Sequence, residues 1–236
     1  GRVNAGSALV YSRTGAGAEW SLAARLQPDT AVAGVQFGAS VAVVDGTSTD
    51  YIVVGAPLAS SGATTQVAGN GAAYVFTAPN TSAWTQQAKL LPRADNINNN
   101  FGYSVAVSHT EPPTVVVGAP GYDTAVATGI VETPFSQVVN AGTGFCFVKS
   151  GASWRIRGTG PLTGDLWSPA VVTAGSSIGR CVAVGNTNTN FALVGAETPT
   201  SSTGSMYPFE FATAVVGSDP GNVAGPSIGV LGPDGL

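Results

Sequence analysis

The chain has 236 residues, of which only 9% are charged, and a net charge of −4; an average soluble domain has about 25% charged residues. Nine Lys and Arg residues scattered along the sequence form no basic stripe, which argues against nucleic acid as a partner. No window reaches the roughly 18–20 consecutive apolar residues of a membrane span, and no charged-then-apolar leader opens the chain.

Gly, Ala, Val, Thr and Ser dominate what is left, as expected for many short strands joined by small-residue turns. The sole methionine is Met206, so a chain opening GRVNAG is expected to be a processed, excised or partial piece of a longer product.

Taken in chain order, the first strand-like run is Gly6-Ser-Ala-Leu-Val-Tyr11, followed by a tryptophan-led run from Trp20 to Leu26. Next come Phe37-Gly-Ala-Ser-Val-Ala-Val43, Tyr51-Ile-Val-Val-Gly-Ala-Pro57, Gly71-Ala-Ala-Tyr-Val-Phe76 and Trp84 to Leu91. The same four kinds of element then return: Phe101-Gly-Tyr-Ser-Val-Ala-Val107, Thr114-Val-Val-Val-Gly-Ala-Pro120, Gly144-Phe-Cys-Phe-Val148 and Trp154 to Arg157. A weaker third set follows, with Ile178-Gly-Arg-Cys-Val-Ala-Val184, Phe191-Ala-Leu-Val-Gly-Ala-Glu197 and Gly204-Ser-Met-Tyr-Pro-Phe209. Ser227-Ile-Gly-Val-Leu231 resembles yet another first element.

These runs are rich in Val, Tyr, Phe and Ile and bounded by Gly, Pro, Asn and Ser, the signature of strands. Their apolar positions lack a 3.6-residue period, and each interior glycine would cost a helix roughly 1 kcal/mol. Units of four strands repeating along a chain read as blades of antiparallel sheet in a β-propeller. The fold class expected is therefore all-β, with about three to four blades in one segment spanning 1–236. The blades divide as 1–28 (the end of one), 35–92, 99–158, 176–216 (degenerate) and 226–236 (the start of the next).

The paired motifs Phe37-Gly38 with Gly55-Ala56-Pro57, and Phe101-Gly102 with Gly118-Ala119-Pro120, resemble the FG-GAP repeat family, the blades of integrin-alpha-like propellers. Ile178-Gly179 with Gly195-Ala196-Glu197 is a degenerate copy. Gly38 and Gly102 would permit close backbone approach near the axis, and Gly-Ala-Pro would turn the chain out of its second strand. Because family propellers commonly have more blades, the resemblance implies that a protein partner, or another part of the same chain, completes the ring.

The resemblance also raises calcium, which many relatives bind between the first and second strands. A hard cation takes six to eight oxygens, whereas the loop DGTSTD offers only Asp45 and Asp50. No cofactor is expected, with Asp45 and Asp50 as the vestige of a calcium loop. The corresponding loops Ser108–Pro113, which contains the only histidine, His109, and Gly185–Asn190 supply still less charge.

Gly175-Ser-Ser-Ile-Gly179 matches a hydrolase nucleophile elbow centred on Ser177. The same pattern at Gly225-Pro-Ser-Ile-Gly229 reads better as two copies of a blade opening. No catalytic residue is expected.

Cys146 and Cys181 each lie in a strand-like run and are expected to be buried small hydrophobes, with a disulfide between them as the alternative. Trp20, Trp84 and Trp154 recur with the unit as packing residues, whereas Trp167 falls outside it and is a contact candidate. The insertion Gly121–Asn140, with Tyr122, Asp123 and Phe135, and the loop Leu58–Asn70 are the first choices for a recognition surface. Asn80 heads a glycosylation sequon that would matter in a secreted eukaryotic protein.

The function expected is non-enzymatic: an extracellular or cell-surface propeller segment for adhesion or protein–protein interaction. An accessory propeller of a larger hydrolase or lyase, and a carbohydrate-binding propeller, are the alternatives.

Overall fold

The computed structural model describes residues 4–30, 32–60, 69–79, 83–92, 98–127, 135–156, 174–185, 190–197 and 204–211. Its strands are β1 (Ala8–Ser12), β2 (Ser21–Leu26), β3 (Ser40–Val44), β4 (Thr49–Ala56), β5 (Ala72–Pro79), β6 (Thr85–Leu90), β7 (Ser104–Val107), β8 (Thr114–Ala119), β9 (Thr124–Ala127), β10 (Phe135–Val138), β11 (Thr143–Ser150), β12 (Ser153–Ile156), β13 (Cys181–Val184), β14 (Asn190–Glu197) and β15 (Gly204–Phe211). The fold is all-β, with no helix among the described residues.

Two sheets are four-stranded antiparallel meanders, β3-β4-β5-β6 and β7-β8-β11-β12. On one side of them lies the pair β1-β2, and on the other the three-stranded sheet β13-β14-β15. The insertion 121–140, expected as a loop, carries a hairpin of its own, β9-β10.

Strand character follows position in the stack. From Tyr51 onward β4 is apolar and buried, and β8 is buried throughout and apolar after Thr114, because a neighbouring sheet covers each face. The outer strand β6 alternates instead, TQQAKL, with one face in solvent.

Three apolar clusters hold the sheets together. One lies between β1-β2 and the first complete blade, around Phe37, Val54, Tyr74 and Phe76. The largest lies between the two complete blades, around Val53, Val75, Phe101, Val117 and Phe145. The last, around Val116, Cys146, Ile178 and Val194, joins the second complete blade to the three-stranded sheet.

Edge-to-face rings anchor the first two clusters. Phe37 meets Tyr74 and Phe76 at 5.4 and 6.0 Å, and Phe101 meets Phe145 and Phe147 at 5.3 and 5.9 Å. Such pairs contribute about 0.5–1.5 kcal/mol beyond area burial.

The structure corrects the sequence reading at several points. In the second complete blade the third element opens on Gly142, which bridges Ile178 as Gly6 bridges Phe37 and Gly71 bridges Phe101. Gly144 lies inside β11 opposite Gly118, the position Ala73 takes opposite Gly55. Trp84 and Trp154 pack against the cores, but Trp20 is exposed, with the Arg13 guanidinium 5.0 Å above its ring. Cys146 is buried as expected; Cys181 is exposed on the edge strand β13, and the two are not joined.

Candidate functional site

Each junction between successive blades uses the same backbone contacts. The amides of Phe37, Phe101 and Ile178 donate to the carbonyls of Ala5, Asn70 and Ala141, at 3.1, 3.1 and 2.9 Å. Within each blade, Gly38, Gly102 and Gly179 donate to Gly55, Gly118 and Gly195.

A side-chain latch crosses the next junction. Ser40 Oγ donates to the Gly102 carbonyl at 2.9 Å, and Ser104 Oγ donates to the Gly179 carbonyl at 2.8 Å.

That latch explains the glycine of Gly-Ala-Pro. A Cβ at Gly55 would collide with the Gly102 carbonyl and Ser40 Oγ, and one at Gly118 with the Gly179 carbonyl and Ser104 Oγ. The expected close approach at Gly38 and Gly102 is present too: both have positive φ and lie against the carbonyls of Ser7 and Ala72. The serine two residues after each of these glycines was the signal that the motif reading left unused.

Among the described residues, Leu9, Tyr11 and Leu22 on β1-β2 and Val41 and Val43 on β3 are exposed apolar side chains. No described strand pairs with the free edge of β1.

The acidic loop has a defined geometry. Asp50 belongs to β4, opposite Ala78, rather than to the loop. Burial raises its carboxyl above the ordinary 3.8, a hydrogen bond with Asp45 and that residue's charge raise it further, and a backbone hydrogen bond from Gly46 opposes them. Glu111, from the neighbouring blade's loop, reaches over Gly46.

No group of three His, Cys, Asp or Glu residues able to hold a metal occurs among the described residues. A pair of carboxylates falls short of the six to eight oxygens calcium takes.

The contact candidates in the insertion separate from one another. Tyr122 is buried against Phe145, with centroids 5.2 Å apart, and is a core residue. Asp123 Oδ1 accepts the Asn140 amide at 2.9 Å, tying the two ends of the insertion together. Phe135 begins β10 opposite Ala127. Trp167, Asn80 and most of the loop Leu58–Asn70 lie outside the described residues.

Ser177 occupies a blade turn. Its positive φ matches that of Gln36 and Asn100, the residues before Phe37 and Phe101, and its hydroxyl donates to the Gly175 carbonyl at 3.4 Å. The strained backbone belongs to the repeat, with no helix following it among the described residues.

No helix of the described chain is long and apolar enough to cross a membrane. A comparison with curated proteins finds no match. Residues 20–76 and 84–130 each match the family model described as FG-GAP repeat. Both matches start at a repeating tryptophan, and between them they contain both complete FG-GAP motifs and both latch serines, Ser40 and Ser104. These two matches identify residues 20–76 and 84–130 of the chain as FG-GAP repeats.

Proposed function

We propose that this chain is a non-enzymatic propeller segment of an extracellular or cell-surface protein, acting in adhesion or in assembly with other proteins. In this reading its N-terminal face is closed by a protein partner or by another part of the same protein.

The observation that carries this is a contrast in burial at equivalent positions. Leu9 and Tyr11 are 51% and 52% exposed, whereas Tyr74 and Phe76, which occupy the same places on β5, are 4% and 3% exposed. Val41 and Val43 on β3 are likewise 60% and 72% exposed. An apolar patch of this kind beside an unpaired strand edge favours association with another polypeptide. The low lysine content and the Asn80 sequon support an extracellular setting.

A photo-crosslinking amino acid in place of Tyr11 or Val43, in the full-length protein in its own source, tests the reading. Adducts at both positions should map to one strand-forming segment, and the same probe at Gly15, in a surface turn, should give none. Absence of adducts at both positions would overturn the proposal.

A further inference from the structure

The junction between the two complete blades holds an asparagine-glycine pair where its counterparts hold alanine-glycine. Gly71 bridges Phe101 there, as Gly6 bridges Phe37 and Gly142 bridges Ile178, and the residues before these glycines are Asn70, Ala5 and Ala141. Two positions before the bridged partners stand Asn99, Val35 and Ser176, all buried. Asn70 and Asn99 are both 0% exposed, and Asn99 Nδ2 donates to Asn70 Oδ1. Asn70-Gly71 is also the only Asn-Gly pair in the sequence.

An Asn-Gly pair is chemically unstable in a free chain. The glycine nitrogen attacks the asparagine side-chain carbonyl carbon, closing a five-membered succinimide and expelling the side-chain nitrogen as ammonia. Water then opens the ring at either carbonyl, leaving aspartate or, with the backbone rerouted through the side chain, isoaspartate. Nothing is oxidised or reduced, and water is the sole co-reactant. Glycine favours the attack because no side chain shields its nitrogen and its backbone turns freely.

The fold both requires this pair and restrains it. Gly71 has a φ of +88°, and a Cβ there would strike the Phe101 carbonyl, so the bridge needs glycine. The Gly71 amide donates to the Ala59 carbonyl at 2.8 Å, and the Asn70 carbonyl accepts the Phe101 amide at 3.1 Å. Attack requires the Asn70 carboxamide to leave Asn99 and swing over the Gly71 nitrogen. Asn99 and Phe101 both lead into the second complete blade, so parting the blades frees the carboxamide and the backbone together.

We propose that Asn70 is a modification site controlled by this junction, shut while the two complete blades are joined and deamidated once they part. Conversion is one-way. Aspartate at 70 places a carboxylate where no solvent reaches, and isoaspartate adds an atom to the backbone beside the Gly71–Phe101 bridge; both oppose reclosure. The inference concerns the middle junction and does not rest on what the module binds.

Peptide mass spectrometry of the full chain incubated at neutral pH tests it, with a synthetic peptide of residues 69–79 as the unstructured reference. Asn70 in the folded chain should convert at least about tenfold more slowly than in the peptide, the protection of a junction open one-tenth of the time or less. Ser40→Ala removes the hydroxyl that crosses the same junction to the Gly102 carbonyl, and should speed conversion about fivefold. Phe101→Ala should speed it further, and where that variant does not fold, Ser40→Ala decides alone. Conversion in the parent at the peptide's rate would overturn the proposal, as would a rate that Ser40→Ala leaves unchanged. Asn70→Asp reproduces one product directly: its urea midpoint should fall below the parent's, and an equal midpoint would overturn the one-way character of the site.

Discussion

β1 and β5 are almost the same strand in different company. Both follow a positive-φ glycine that bridges the next blade, and both pair with an outer strand through a register shift at the same place, Val10/Tyr11 and Val75/Phe76. Each turns small or branched residues, Ala8 and Val10 or Ala73 and Val75, toward the following blade. The difference lies on the other face, where Tyr74 and Phe76 are buried against Phe37 while Leu9 and Tyr11 are exposed. Local sequence therefore sets the strand and its register, but the neighbouring blade decides whether its apolar side chains contribute to stability. In such an array stability is approximately a sum of unit and nearest-neighbour terms.

The sharpest way to break this comparison is to truncate an aromatic on each side of it. Phe101→Ala should cost about 3–5 kcal/mol, as for other fully buried phenylalanines, because it removes the ring on which Phe145 and Phe147 converge. Tyr11→Ala should change stability by no more than about 0.5 kcal/mol in the isolated chain. Urea denaturation of the two variants measures both, and a large loss for Tyr11→Ala would show that the β1 face is already covered in solution.

A smaller contrast separates glycines by their neighbours. Gly55→Ala should destabilise by about 1–3 kcal/mol, since the added methyl must displace the Gly102 carbonyl or the Ser40 hydroxyl. Gly15→Ala, with nothing within 4 Å and no positive φ, should stay within about 0.5 kcal/mol of the parent. Equal midpoints for the two variants in the same denaturation assay would mean that the junction does not need its glycine.

The latch should give a smaller effect again. Ser104→Ala removes a partly buried hydrogen bond that crosses between blades, for about 1 kcal/mol. Ser21→Ala, which loses an exposed 3.3 Å bond to the Ser12 carbonyl, should be neutral by the same measurement.

What was legible in the sequence, and what was not, follows the same division. Strand identity, the four-stranded unit and the FG-GAP glycines could be read, because period-2 burial and turn chemistry are local. The choice between Gly142 and Gly144 could not: the two lie two residues apart and keep the same strand parity, and only the bridge to Ile178 distinguishes them. The exposure of Cys181 and Trp20 was hidden for a related reason. Each occupies a repeat position buried or half-buried elsewhere, and exposure depends on a surface far away in sequence. In the insertion, the burial of Tyr122 against Phe145 is again a long-range contact that composition does not announce.

The smallest expected effect concerns the acidic pair, and it is a matter of sign. Burial, then the hydrogen bond with Asp45 and its charge, hold the Asp50 proton more tightly in the folded chain than at the ordinary 3.8. The folded state thus binds more protons than the unfolded state between 3.8 and the raised value, so stability falls as pH rises through that window and stays lower at neutral pH. Asp50→Asn removes the penalty while leaving an oxygen to accept from Gly46. The variant should melt above the parent at pH 7, with the gap closing as pH falls to 3.8 and below. Calcium sharpens the test, because a cation shared by Asp45 and Asp50 would reverse the balance by favouring both carboxylates. With no group of three metal-holding side chains among the described residues, added calcium should move the melting temperature of the parent no more than that of Asp50→Asn. A calcium-dependent rise in the parent alone would make this loop a cation site after all.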